Sequence, residues 1–308
     1  MSEKVEEGVV LPMSERMAID ETIGGGGEQP SEDKRSQKLR IGVVGNDLVS
    51  NAMGIAFDPV MVDVMRVDGL EQIDDLIDWH PGVTFLCNPV KVLENDSVDD
   101  ADLINMVAKL IKGCGSGICI RSTLAIETVE RLIKTLGYDV LLQKVVYNPV
   151  MTDGTDVGSI LTPSIEYFGA SDEVLSKHMD IMKGTSIMSV SQIRSGSIFE
   201  VAYAKLAING FKAVKQTFFN QLHDTIMDCG GASPSNVRRL IETSEALTDR
   251  SVMVPTFVRA KADSGMTHKR ARSFSGEFEN DVRVLSSMTD KIPLLDECIN
   301  YKNIVDKD

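Results

Sequence analysis

From Leu39 onward the chain alternates short apolar runs, rich in β-branched residues, with amphipathic helical stretches, and this alternation limits the fold more than any other feature. Leu39 to Val44 reads as a buried first strand, stopped by Gly45-Asn46-Asp47. Further strands are predicted at 60–67, 83–87, 117–121, 139–147 and 165–169, with helices at 70–78, 99–112 and 125–136. Repeated strand–helix–strand units require an α/β architecture, a mostly parallel, doubly wound sheet with helices on both faces. The character changes at Ser197. Phe199, Ala202, Leu206, Phe211, Val214, Phe218, Leu222 and Ile226 recur at helical spacing with no proline among them. They predict one helix of about 30 residues, long for a globular protein. Gly230-Gly231 and Pro234 break it, and a second helical region follows. The expected division is an N-terminal arm at 1–38, an α/β domain at 39–196, a long connecting helix at 197–228 and a smaller α-helical C-terminal domain at 229–308.

The arm is polar and acidic, and it carries the glycine run Gly24 to Gly27. Such a segment cannot bury enough apolar surface to offset its ordering entropy. Its apolar pieces, Val9-Val10-Leu11 and residues 13–19, suit docking on a protein partner. The formal net charge of −14, from 46 acidic against 32 basic residues, works against nonspecific binding to nucleic acid or an anionic membrane. The one basic cluster, His268-Lys269-Arg270-Ala271-Arg272, reads as a solvated loop, or as a phosphate contact if it lies beside a nucleotide site. No apolar run approaches the ~20 residues that span a bilayer, and the N-terminus lacks a signal-peptide pattern, so the expected location is cytoplasmic. The five cysteines form no CxxC pair and the four histidines show no ligand spacing. Buried free thiols are expected, with no disulfide framework and no metal.

Several segments carry a further signal through their order: Ile41-Gly42-Val43-Val44-Gly45-Asn46, Cys87-Asn88-Pro89-Val90, Arg121-Ser122-Thr123, Tyr147-Asn148-Pro149, the run Lys205 to Phe211, and Phe278-Glu279-Asn280-Asp281-Val282-Arg283. Their order and spacing resemble the UDP-glucose/GDP-mannose dehydrogenase family, and in particular its short bacteriophage-encoded forms, over about residues 39–303. The resemblance implies a Rossmann-type domain joined by a long helix to a helical domain. It also implies an enzyme that oxidises a sugar alcohol to an acid in two steps, using NAD twice and a cysteine thiohemiacetal. Full-length members add a third, nucleotide-binding domain, before which this chain stops.

Position by position, the chemistry that the resemblance implies is eroded. A dinucleotide turn reads G-x-G-x-x-G, the second glycine letting backbone approach the pyrophosphate. Here the run is Gly45-Asn46-Asp47-Leu48-Val49-Ser50, so a carboxylate stands nearest the pyrophosphate. Asp47 is equally readable as a helix N-cap. The cofactor-contacting positions would be Gly45, Asn46, Asn88, Pro89 and Ser122, with Asp63 or Asp68 meeting the ribose hydroxyls and Asp63 preferred. Ser122-Thr123 matches a pair that the family places near the nicotinamide, although a hydroxyl capping the next helix accounts for it as well. The family's water-activating glutamate after Asn148-Pro149 is Val150 here, with Asp153 as a displaced substitute. Lys205 and Asn209, four apart on one helix face, match the pair that holds the sugar and the oxyanion; an ordinary surface pair explains the spacing too. Counting back from Asp281, Glu277 occupies the position of the nucleophilic cysteine and Asn280 that of a lysine. A carboxylate cannot form the thiohemiacetal that becomes a thioester.

These losses predict a protein that kept the fold and lost the reaction: a non-catalytic structural or binding component of an assembly (a virion, if phage-encoded), without bound cofactor. One alternative is an NAD-dependent nucleotide-sugar oxidoreductase with altered two-electron chemistry, acting through Lys205, Asn209, Asp281 and Thr123 with Glu277 as base; another is a sensor that binds a nucleotide or sugar nucleotide at Lys205 and Asn209 without turnover. Apolar residues on more than one face of 197–228 predict a homo-oligomer formed through that helix.

Overall fold

The central strands of the sheet are short and mostly apolar because helices cover both faces, and a strand buried on two sides has little polar alternation to show, whereas the edge strand at 192–196 is polar and exposed. The structure, a computed structural model, describes residues 38–93, 97–151, 156–242, 277–287 and 293–305. The arm at 1–37, Asp153 and the basic cluster at 268–272 lie outside the described residues.

The chain opens with β1 (Leu39–Val44), α1 (Leu48–Ile55), β2 (Val62–Val67), α2 (Ile73–Trp79) entered through a turn of 3-10 helix, and β3 (Val83–Leu86). A two-residue pair, β4 (Lys91–Val92) and β5 (Val98–Asp99), then forms a small antiparallel ribbon. It is followed by α3 (Ala101–Gly113), β6 (Gly117–Ile120), α4 (Ile126–Leu136), α5 (Tyr138–Lys144) and β7 (Val145–Tyr147). Next come α6 (Val157–Leu161), β8 (Ile165–Gly169), α7 (Asp172–Thr185) and β9 (Gln192–Gly196). The long helix α8 (Ile198–Cys229) leads to α9 (Pro234–Glu242), α10 (Glu277–Ser287) and α11 (Pro293–Val305).

Seven strands form one sheet in the order β2-β1-β3-β6-β7-β8-β9. All neighbours are parallel except β7 and β8, so the last two strands run against the first five. The expected α/β sheet is therefore present, mostly parallel and covered by helices. Alternate residues of β1 feed separate cores. Ile41 and Val43 pack with Met53, Phe85, Cys119, Val146 and Phe168 on one face. Val44 packs with Leu76, Leu110, Ile120, Leu132 and Tyr147 on the other.

Two sequence expectations change. The predicted strand at 139–147 is helix α5 up to Lys144, with only Val145–Tyr147 in the sheet. Gly137, at φ 87°, turns the chain after α4, and α5 buries only Leu141. Val60 and Met61, read as the start of β2, sit exposed in a turn closed by the Met61 amide donating to the Asp58 carbonyl at 3.0 Å. Helices α6 and α7 and edge strand β9 were not expected.

The long helix starts where the pattern of apolar residues begins. The Ser197 hydroxyl accepts from the Glu200 amide at 3.2 Å, and the Glu200 carboxylate accepts from the Ser197 amide at 2.7 Å. This reciprocal cap satisfies two helix-end donors that otherwise lack partners. The start of α8 crosses β8 so closely that a Cβ on Gly169 would stand 2.7 Å from the Cα of Ile198, so the crossing requires glycine. Farther along, Leu206 and Ala213 of α8 pack with Val282, Leu285, Leu295 and Cys298 in a third core. Residues Lys38–Asp308 form one compact unit.

Candidate functional site

The motif residues after β1, β3, β6 and β7 all follow the carboxyl ends of neighbouring parallel strands. The order of the sheet reverses between β1 and β3, the place where open α/β sheets form a crevice. Gly45 adopts φ +134°, and a Cβ there would lie 3.1 Å from Ser50, 3.3 Å from Cys87 and 3.4 Å from the Asn88 nitrogen. Only glycine fits this turn.

The rest of the turn is not shaped for a pyrophosphate. Asp47 is the N-cap of α1, and its Oδ1 accepts from the Ser50 amide at 2.8 Å. The Ser50 hydroxyl donates to the Asp47 carbonyl at 2.9 Å, which closes the first turn from within. Asp47 Oδ2 and Asn88 Oδ1 are both buried without a hydrogen-bond donor. The carboxylate fixed at the first turn of α1 places negative charge where a phosphate would bring more. The residues present do not fit the pyrophosphate of a dinucleotide.

The other candidate cofactor contacts have internal roles. Asn46 and Pro89 are exposed. Asn88 Nδ2 donates to the Asp68 carbonyl at 2.9 Å, tying the end of β3 to the end of β2. The Ser122 hydroxyl donates to the Asn88 carbonyl at 2.5 Å, tying β6 to β3. Asp63 is a correction: it pairs in register with Arg40 near the amino end of β2 and meets Lys38 at 3.4 Å. The acidic residue at the carboxyl end of β2 is Asp68. The Gly45 amide donates to the Val67 carbonyl beside it at 2.8 Å.

The candidate catalytic residues, by contrast, converge. Asp281 of α10 accepts from the Thr123 hydroxyl at 3.1 Å and from the Asn209 amide, and Lys205 Nζ stands 3.4 Å away. Lys205 also donates to the Val150 carbonyl at 2.8 Å. Val150, which has no side-chain chemistry to replace the family's glutamate, thus contributes its backbone. Lys205, Asn209 and Asp281 are each under 10 % exposed, so this is not a surface i, i+4 pair. Burial pushes the Asp281 carboxyl above its ordinary range, while Lys205, Thr123 and Asn209 act in the opposite direction. Glu277 begins α10, one turn before Asp281; its side chain lies outside the described residues.

A second buried polar network was not foreseen. Arg121 donates to Asn148 Oδ1 and stands 3.5 Å from Glu166 Oε1. Asn148 Nδ2 donates to Glu166 Oε2 and to the Tyr167 carbonyl, the latter at 2.9 Å. Beside it, His178 of α7 lies between the rings of Phe85 and Phe168, at 5.8 and 5.9 Å. Burial, reinforced by Arg121, lowers the His178 pKa to about 4. Arg121 and Asn148 stood in the quoted motif segments, but their pairing with Glu166, a charged residue inside an otherwise uncharged strand, was not read from the sequence.

Cys298 packs in the third core with Val282, the neighbour of Asp281, and burial raises its thiol above the ordinary value. Burial pushes the Cys119 thiol up to about 12 and raises Cys87 well above its ordinary value. Cys298 is also buried, whereas Cys114 is half-buried and Cys229 exposed, which corrects the expectation of uniformly buried thiols.

Strand order, switch point and long helix together define a Rossmann-like α/β fold with a helical C-terminal part. No family model matches the sequence, and no curated protein does. Among solved structures, the UDP-D-ManNAc dehydrogenase of Pyrococcus horikoshii is similar with a TM-score of 0.64 at 14% identity, covering 87% of this chain and 69% of that one. A UDP-glucose dehydrogenase of Pyrobaculum islandicum gives a TM-score of 0.64 at 15% identity, covering 88% and 69%. The GDP-mannose dehydrogenase of Pseudomonas aeruginosa, seen in a ternary complex, gives 0.56 at 17% identity, covering 86% and 68%. The chain has the fold of these nucleotide-sugar dehydrogenases, at identities that establish the fold alone. Among the described residues no helix is long and apolar enough to cross a membrane.

Proposed function

We propose that the protein is a non-catalytic relative of the nucleotide-sugar dehydrogenases, serving as a structural or binding component of an assembly. The observation that carries this reading is the Asp47 cap: the place where the fold would receive a pyrophosphate holds a carboxylate bonded to the α1 backbone. Two further features support it. Thr123, Lys205 and Asn209 are directed to Asp281, a residue of the chain itself. Glu277 stands where the resemblance places the thiol, which removes the covalent second oxidation. Calorimetric titration of the full chain with NAD⁺ and NADH is expected to give no binding heat up to millimolar concentration. Micromolar binding would overturn the reading.

One observation favours an oxidoreductase reading, the buried convergence on Asp281, a carboxylate whose affinity for a proton is raised. That alternative is a two-electron nucleotide-sugar oxidoreductase using Lys205, Asn209, Thr123 and Asp281, with Glu277 as base. NADH formation from a UDP-sugar would establish it, and would disappear in Asp281→Asn.

Self-association through α8 belongs to the same proposal. Tyr203, Phe211 and Phe218 are each more than half exposed and recur at two-turn spacing along one side of the helix. The opposite side buries Lys205, Leu206, Asn209 and Ala213. Size-exclusion chromatography with light scattering is expected to give at least twice 33.7 kDa, falling to 33.7 kDa when Phe211 and Phe218 are both replaced by glutamate. A wild-type mass of one chain would sink the oligomer.

A further inference from the structure

We infer that the Asp47 carboxylate is the built-in occupant of the anion position at the start of α1, an internal substitute for a ligand phosphate that also keeps phosphates out. The inference rests on the reading that this groove does not take a dinucleotide, and it identifies the residue responsible.

The first-turn amides of a helix and its dipole attract an anion from any source. In α1 the source is the chain: Asp47 holds extended backbone at φ −94° and ψ −174°, and this brings Oδ1 to the Ser50 amide at 2.8 Å. No acidic residue lies in the first turn of α1 to share that role. A ligand phosphate would compete for the same amide and the same field, against a fixed charge that does not diffuse away.

Two independent features show that the turn keeps the shape of a phosphate cradle while its charge is reversed. Gly45 retains a backbone at φ +134° that brings the turn against Ser50, Cys87 and Asn88 without room for a Cβ. Asp47 Oδ2, the oxygen not used in capping, is buried with no donor. A carboxylate oxygen kept there without a partner costs stability, so its position is not explained by capping alone, which needs one oxygen. A serine or asparagine cap would hold α1 equally well without the charge.

The test compares wild type, Asp47→Ser and Asp47→Asn by thermal unfolding of the full chain, in sodium pyrophosphate and in sodium chloride of equal ionic strength. Both replacements are neutral caps and are expected to fold. The wild-type Tm should be the same in the two salts. In both variants pyrophosphate should raise Tm by about 3 °C at ten times its Kd. An equal rise in wild type would overturn the inference, and so would folded variants that do not respond. Variants that lose their fold would overturn it too, because a neutral cap would then be insufficient. Silent variants beside a wild type that fails to bind NAD⁺ would remove this inference and leave the non-catalytic reading standing. Wild-type binding of NAD⁺ would remove both.

Discussion

Asp281→Ala is expected to destabilise the fold by about 3–5 kcal/mol, the usual cost of leaving one member of a buried ion pair without its partner. Lys205 is 8% exposed and would keep only its bond to the Val150 carbonyl, while Thr123 and Asn209 would lose their acceptor. The loss would be felt at a junction. Asp281 lies in α10, Lys205 and Asn209 in α8, and Thr123 after β6, so one carboxylate joins the sheet to the helical part. Lys205→Met combined with Asp281→Leu should cost less than the two single replacements added together, because no charge is then left buried. Chemical denaturation measures all three variants. A cost for Asp281→Ala below about 1 kcal/mol would show that the pair is hydrated and that the junction depends on apolar packing alone.

The second large effect is acid lability from His178. Its folded-state pKa of about 4 lies below the ordinary 6.5, so between these values the unfolded chain binds a proton that the folded chain does not. Stability must therefore fall as the pH falls through that window, by about 3 kcal/mol in total from this group. The charge has nowhere favourable to go: the ring sits between Phe85 and Phe168, and Arg121 is already positive nearby. His178→Phe keeps an aromatic ring in that place and removes the titration. Denaturation curves from pH 7 to pH 4 should show a shallower loss for the variant than for wild type. Parallel losses would place the acid sensitivity elsewhere, in the carboxylates.

The fold was legible in the sequence wherever a segment is buried on two sides. Leu39–Val44 and Val83–Leu86 read as strands because each is apolar but for one polar residue, Arg40 and Thr84, and α8 because its apolar spacing persists over many turns. Residues 139–144 misled because Val140, Leu141 and Leu142 are apolar in succession, and so short a run does not distinguish strand from helix. The site was legible in its membership and not in its arrangement. Thr123 and Asp281 are separated by 158 positions, and only the packing of α10 against α8 brings them together. Asp63 was preferred over Asp68, but β2 spans Val62–Val67, which leaves Asp63 near its amino end and Asp68 just beyond the carboxyl end that faces the crevice. Glu166 and His178 were missed because a buried charge looks like a surface charge until its neighbours are known.

The 32 residues of α8 make a rod about 48 Å long. Anchored by its cap at Ser197 and by the close crossing at Gly169, such a rod is a lever: tilting it by 5° displaces the far end by about 4 Å. Any load or partner that grips the region near Cys229 therefore has a mechanical advantage over the sheet end. A tilt there would strain the contact between Lys205, Asn209 and Asp281 while moving those side chains only slightly, because they lie near the fulcrum. A small adjustment beside the sheet is thus a large displacement at the Cys229 end of the helix.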